Sequence, residues 1–281
     1  MRKAYVKNNQ IALYGIMLRE VFIMYIIISV SIIVSAYMIY NQMENMSRIY
    51  SCALDGIVVW CTSSMLNLGL LPVIISVFLH MHYDIYMRNV CVIKQKSRTG
   101  MWFNEQKLSL IICSVAFTWS MILSFVLAYI MNKGNIYANV SDDLFFTNTY
   151  YGIMLSQCTD IQAGQETLIP AINIVWVIIR VWLINMLQLY MVVMAADVIY
   201  WLSGKRLVST LLLSILCMIT AIFPKSRRYA YVLGIKVKAY SYYLEALNIN
   251  VWLKHIFIML IIILLTNVVM SFIVKNKDMV M

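Results

Sequence analysis

Charge is scarce in this sequence. Asp, Glu, Lys and Arg together make up 12% of its 281 residues, about half the ~25% of an ordinary soluble domain. So few charges cannot cover the surface of a soluble fold of this length, which excludes a water-soluble enzyme or binding domain. Histidine (3), proline (3) and glycine (9) are few as well. The glycines form no G-x-x-x-x-G-K-[ST], so the chain cradles no nucleotide through a P-loop, and H-E-x-x-H and G-x-S-x-G are missing too. The six cysteines include no C-x-x-C pair, leaving little basis for a zinc or redox centre. With so few acids, bases and nucleophiles, no catalytic residue is assigned and no cofactor or metal is expected on this chain.

Long hydrophobic runs are what the sequence does have. Hydrophobic residues make up 63% and the mean hydropathy is +0.81. Val21 to Tyr40 contains no charge, and ~20 helical residues cross the ~30 Å hydrocarbon core of a bilayer. Further segments of this kind at about 57–79, 108–131, 171–202, 207–223 and 256–274 predict an all-α polytopic membrane protein with six transmembrane helices. The whole of 1–281 reads as one membrane domain. Residues 3–18 are apolar but short and flanked by Lys and Arg, which predicts an interfacial helix in the headgroup plane. Met1-Arg2-Lys3 resembles a charged leader, but no small-residue cleavage site closes the apolar stretch, so the first span is expected to be retained. Pro72 falls inside span two, where neighbouring helices can satisfy the freed carbonyl.

The net charge of +10 is read as a topology signal rather than a nucleic-acid surface. Lys and Arg concentrate in 80–107, after span four (Lys205, Arg206) and after span six (Lys275, Lys277). Acids concentrate in 132–170. The positive-inside rule then places both termini in the cytoplasm of a plasma-membrane protein. The basic loop after span five (Lys225, Arg227, Arg228, Lys236, Lys238) falls outside in this arrangement, and a re-entrant 207–223 is the alternative to a crossing. Cys52 and Cys158 fall in outside loops, either bridged or as two unrelated thiols. His80-x-His82 with Asp84 sits at the end of span two and reads as interfacial solvation rather than a metal site.

Two groups of polar residues stand out. Span four holds Arg180, Asn185 and Gln188, with Asp197 near its inner end. Gln188 lies ~80° from Arg180 and ~60° from Asn185 around the helix. One broad face therefore carries all three, and with Asn67 of span two they are the candidates for a polar path. Outward snorkelling of Arg180 is the competing reading. The second group is the segment 80–107, which mixes Ile85, Val90, Trp102 and Phe103 with Arg88, Lys94, Lys96, Arg98 and Lys107. It suits either a surface that docks on a cytoplasmic partner or a loop held to anionic lipid.

This layout resembles the permease subunit of an ABC-2-type exporter: a short interfacial helix, then a basic segment with Lys96-Ser97-Arg98 and Trp102 at its centre between spans two and three, then a sixth span ending in Lys275-Asn276-Lys277-Asp278. The resemblance covers nearly the whole chain and rests on layout. It is closest to the small six-span permeases that export antimicrobial or amphipathic peptides, such as the phenol-soluble modulin exporters. It implies a dimer of this chain, two copies of a separate P-loop ATPase that hold ATP and magnesium, and an amphipathic substrate, otherwise a lipid or drug. It also implies a coupling segment at 83–107, with Arg88, Lys94, Lys96, Arg98 and Trp102 as contacts to the ATPase. The main rival is a non-transporting immunity or sensor protein. An ion-coupled transporter would need paired intramembrane carboxylates, and Asp197 is the sole acid well inside a predicted span.

Overall fold

In the computed structural model, the described residues are 19–38, 41, 53–57, 65–88, 98–131, 174–222 and 249–276, and all regular structure among them is helical. The long helices are α1 (Arg19–Met38), α2 (Leu71–Arg88), α3 (Arg98–Met131), α4 (Ile174–Ser203), α5 (Arg206–Ile222) and α6 (Ile249–Asn276). A one-turn helix, Ala53–Asp55, precedes a π-helical turn, Met65–Leu70, that runs straight into α2. Among the described residues four helices, α1, α3, α4 and α6, are long and apolar enough to cross a membrane, whereas α2 and α5 have shorter apolar stretches. The chain is a helical, multi-pass membrane protein. The expected interfacial helix at 3–18 lies outside the described residues, as do Cys52 and Cys158.

Element bounds shift where local chemistry competes with hydropathy. Pro72 is the second residue of α2 rather than an interior one, and the widened π turn comes immediately before it. A proline has no N–H to give and its ring crowds the carbonyl four residues back, here that of Leu68; the wider turn relieves both. α3 begins at Arg98, inside the turn signal Ser97-Arg98-Thr99-Gly100, just after which the sequence places the start of this helix, and so ahead of the charge-free span that begins at 108. Thr99 and Gly100 open the helix and do not end a loop. The first turns of α3 therefore belong to the basic segment.

The interior of α3 is chosen by size and polarity, because apolar residues line the whole helix. Its buried stripe runs Trp102, Glu105, Ser109, Cys113, Ala116, Ser120, Ser124 and Ala128, at steps of three and four. Small side chains of this kind let helices approach closely where lipid offers no hydrophobic drive. Ile111, Val115, Ile122, Val126 and Ile130 face outward. Gly56 marks the closest approach: a Cβ there would lie 2.4 Å from the Ser124 carbonyl oxygen and 2.8 Å from Ala128 Cβ.

α4 is the hub. The other long helices α2, α3, α5 and α6 all pack on it, and 61% of its apolar stretch is buried, against 17% for α6. α3 runs opposite to α4, since Gln106 meets Asp197 and Thr118 meets Trp182. α6 runs alongside α4, with Trp252 Nε1 donating to the Arg180 carbonyl and Asn267 Nδ2 lying 3.9 Å from Met194 Sδ. α1 runs with α3, pairing Ser29 with Trp119 and Ala36 with Ala128. The turn into α5 is closed by Gly204 at φ 66°, whose N–H donates to the Tyr200 carbonyl. Ser209 Oγ then donates back to the Ala196 carbonyl at 2.6 Å. One end of the bundle thus collects exposed Arg19, Arg98, Lys107, Lys205, Arg206 and Lys275.

Candidate functional site

Just inside this basic end lies a buried polar cluster. Asp197 of α4 is fully buried and is its centre. From α2, His80 Nε2 bonds Asp197 Oδ1 at 3.1 Å. From α3, Gln106 Nε2 and Ser109 Oγ reach the other carboxyl oxygen, Oδ2, at 3.1 and 2.9 Å. His80 and Asp197 are both 0% exposed. A carboxyl inside an apolar bundle is costly unless its oxygens are bonded, and here three helices meet to bond it.

A second tier holds the first in place. Tyr190 donates to Gln106 Oε1 at 3.0 Å, which turns the amide N–H groups of Gln106 toward Asp197. The His80 ring stacks on Tyr200, with centroids 4.5 Å apart and planes 13° from parallel. Tyr83 OH lies 2.9 Å from Ser109 Oγ and 3.2 Å from the Glu105 carbonyl oxygen. The Glu105 side chain is buried and accepts the Trp201 indole N–H on Oε2. Its other oxygen, Oε1, and His80 Nδ1 are buried with no hydrogen-bond partner among the described residues. Trp102 completes the tier, donating to Asn267 of α6 at 2.9 Å and meeting Trp201 edge-to-face at 6.0 Å.

The chain matches no family model, no curated protein and no solved structure. The site is therefore read from its own geometry.

That geometry sorts the residues singled out in the sequence. Arg98 opens α3 and is exposed, while Arg88 ends α2. Lys94 and Lys96 lie outside the described residues. Trp102, expected on a docking surface, is instead fully buried, so any effect it has on a partner is transmitted through α3. Of the polar path, Asn185 and Gln188 are interior: Asn185 Nδ2 donates to the Val181 carbonyl of its own helix, and Gln188 Nε2 is buried with no partner. Arg180 lies toward the opposite end, its guanidinium 5.8 Å from the centre of the Trp252 ring. Asn67 lies in the π turn.

His80 corrects the interfacial reading. It is not solvated at the membrane surface, because the length of α2 carries it inside the bundle onto Asp197. Asp197 is also not the sole buried acid, since Glu105 joins it. The early start of α3 explains why: Glu105 falls within the basic segment 80–107, ahead of the charge-free run, yet lies two turns into the helix. Among the described residues, no three His, Cys, Asp or Glu side chains are arranged to hold a metal ion.

Proposed function

We propose that the chain is the permease subunit of an ATP-driven exporter of the ABC-2 type, working as a dimer with two copies of a separate P-loop ATPase. On this reading it crosses the plasma membrane six times, with the basic end and both termini in the cytoplasm and residues 3–18 in the headgroup plane. One observation carries the reading: the basic segment and the bundle share α3. That helix starts at exposed Arg98, and within eight residues Trp102 binds α6 while Glu105 and Gln106 bind α4. A push on the segment between α2 and α3 would therefore reach the hub helix directly. The amphipathic peptide substrate rests on the resemblance in layout.

The test is purification from native membranes followed by transport in inside-out vesicles. A P-loop ATPase should co-purify, ATP should drive accumulation of a fluorescent amphipathic peptide, and Arg98→Glu should reduce the ATPase recovered. No co-purifying ATPase together with ATP-independent uptake would overturn the reading. A second reading, ion-coupled transport, is favoured by the burial of both Glu105 and Asp197 in one cluster. It predicts that a proton gradient, and not ATP, drives the same uptake.

A further inference from the structure

The hydrogen bonds around Asp197 do not balance with the protons that neutral hydroxyls supply. Three contacts lie in a row: the Glu105 carbonyl oxygen to Tyr83 OH at 3.2 Å, Tyr83 OH to Ser109 Oγ at 2.9 Å, and Ser109 Oγ to Asp197 Oδ2 at 2.9 Å. Each contact needs one hydrogen. Tyr83 and Ser109 bring one each. With an ionised Asp197, Ser109 donates to Oδ2, and the single Tyr83 hydrogen must serve two acceptors. One contact is then two oxygens facing each other with at most a shared hydrogen. A proton on Oδ2 completes the row: Asp197 donates to Ser109, Ser109 to Tyr83, and Tyr83 to the Glu105 carbonyl. Every hydroxyl then donates once and accepts once.

His80 is the alternative carrier, and the geometry disfavours it. An imidazolium has N–H at both ring nitrogens. His80 Nε2 has Asp197, but Nδ1 is buried with no acceptor among the described residues, and a buried N–H left unbonded is costly. The imidazolium would also leave the hydroxyl row one hydrogen short. A neutral ring with its hydrogen on Nε2 donates to Asp197 Oδ1 in either state of the acid. The other titratable groups facing the cluster are Tyr83 from α2, Glu105 and Cys113 from α3, and Tyr190 and Tyr200 from α4, with half-buried His82 behind Tyr83. Among the described residues these groups bring no fixed positive charge to offset a carboxylate, and α6 presents the neutral Asn267.

We infer that Asp197 is a proton-binding site, holding a proton while α2, α3 and α4 are closed around it and releasing it when those helices part and water enters. The inference does not depend on whether transport is powered by ATP or by an ion gradient. The proton comes from solvent and returns to it, forming and breaking one O–H bond at Oδ2; no other covalent bond changes, and the Ser109 and Tyr83 hydroxyls only turn to redirect their hydrogens.

The experiment uses the full chain in lipid nanodiscs, with ¹³C at the aspartate carboxyls and ¹⁵N in histidine, studied by NMR at near-neutral pH. One aspartate carboxyl should resonate as the neutral acid and show a dipolar contact to a singly protonated histidine ring. That signal should vanish in Asp197→Asn and persist in Glu105→Gln. The contact to histidine identifies Asp197 in the wild-type protein, so the result stands even if Asp197→Asn fails to fold. Aspartate carboxyls that are all ionised, or a histidine protonated on both nitrogens at that contact, would overturn the inference.

Discussion

The indole N–H of Trp102 and the side-chain oxygen of Asn267 meet at 2.9 Å from positions 165 residues apart. The bond fastens the first turns of α3 to the far part of α6. Asn267 uses its own N–H groups on the Ile263 carbonyl, at 2.9 Å, and toward Met194 Sδ. It therefore joins α3, α4 and α6 through one side chain.

Trp102→Ala should destabilise the detergent-purified protein far more than Trp102→Phe. The alanine leaves a cavity among Met101, Trp201 and their neighbours, a loss on the order of 3 kcal/mol. Phenylalanine fills most of that space and gives up one hydrogen bond, a loss of about 1 kcal/mol or less. Thermal unfolding in micelles measures both, and equal losses would mean that the hydrogen bond, not the packing, dominates.

Two glycines should respond in opposite ways to the same replacements. At Gly56 the obstacle is the backbone of α3, 2.4 Å from a new Cβ, so Gly56→Ala and Gly56→Asn should each push 53–57 off α3 at a cost of roughly 1–3 kcal/mol. At Gly204 nothing lies within 4 Å, and only the φ of +66° resists a side chain. Gly204→Ala should cost about 1 kcal/mol, while Gly204→Asn, which tolerates that conformation, should be nearly silent. Melting temperatures of the four variants decide it.

Asp197→Ala should be worse than Asp197→Asn. Alanine removes the partner of His80, Gln106 and Ser109 together, and each buried polar group left unsatisfied costs about 1–3 kcal/mol. Asparagine keeps an oxygen for His80 and offers N–H toward Ser109, and gives up only the bond from Gln106, whose N–H then faces another donor. Denaturant titration of both variants should separate them, and equal stability would show that the cluster contributes little to holding the bundle.

The sidedness proposed for the basic end is open to thiol labelling. A membrane-impermeant maleimide should modify Cys158 in intact cells and reach Cys91 only after permeabilisation. The reverse pattern would place the basic end outside.

Hydropathy made the long helices legible because one property, a charge-free run of sufficient length, decides them. α1, α4 and α5 begin and end within three residues of where the pattern puts them. It falls short at the polar ends: α2 runs on to Arg88 rather than 79, and α6 starts at Ile249 rather than 256. At α3 the charge-free run begins only at 108, because Lys107 and Glu105 look like loop residues, whereas the helix carries Glu105 inward and leaves Arg98 and Lys107 exposed. The polar cluster was half visible. Asp197 stood out as an acid in an apolar run. Gln188 and Asn185 stood out as amides there, but Asn185 Nδ2 bonds its own helix and Gln188 Nε2 has no partner among the described residues. What linear spacing cannot give is the meeting of His80, Gln106 and Ser109 on Asp197 from positions 88 to 117 residues away. A signal was nonetheless present: His80, Glu105 and Asp197 all fall within one or two turns of predicted span ends on the same side, where their neutralisation by one another was worth asking about.

The partners of Asp197 all lie upstream of it. Synthesis runs from the N-terminus and delivers early segments first, so His80, Gln106 and Ser109 are already lodged in the bilayer when α4 leaves the ribosome with its acid. The helix that carries the acid enters lipid only once a receptacle for that awkward side chain exists. Asn267 comes last and clasps Trp102 from a segment that needs no such welcome. A nascent chain cut after α4 would still shelter Asp197, whereas one lacking α2 would deliver it half bare.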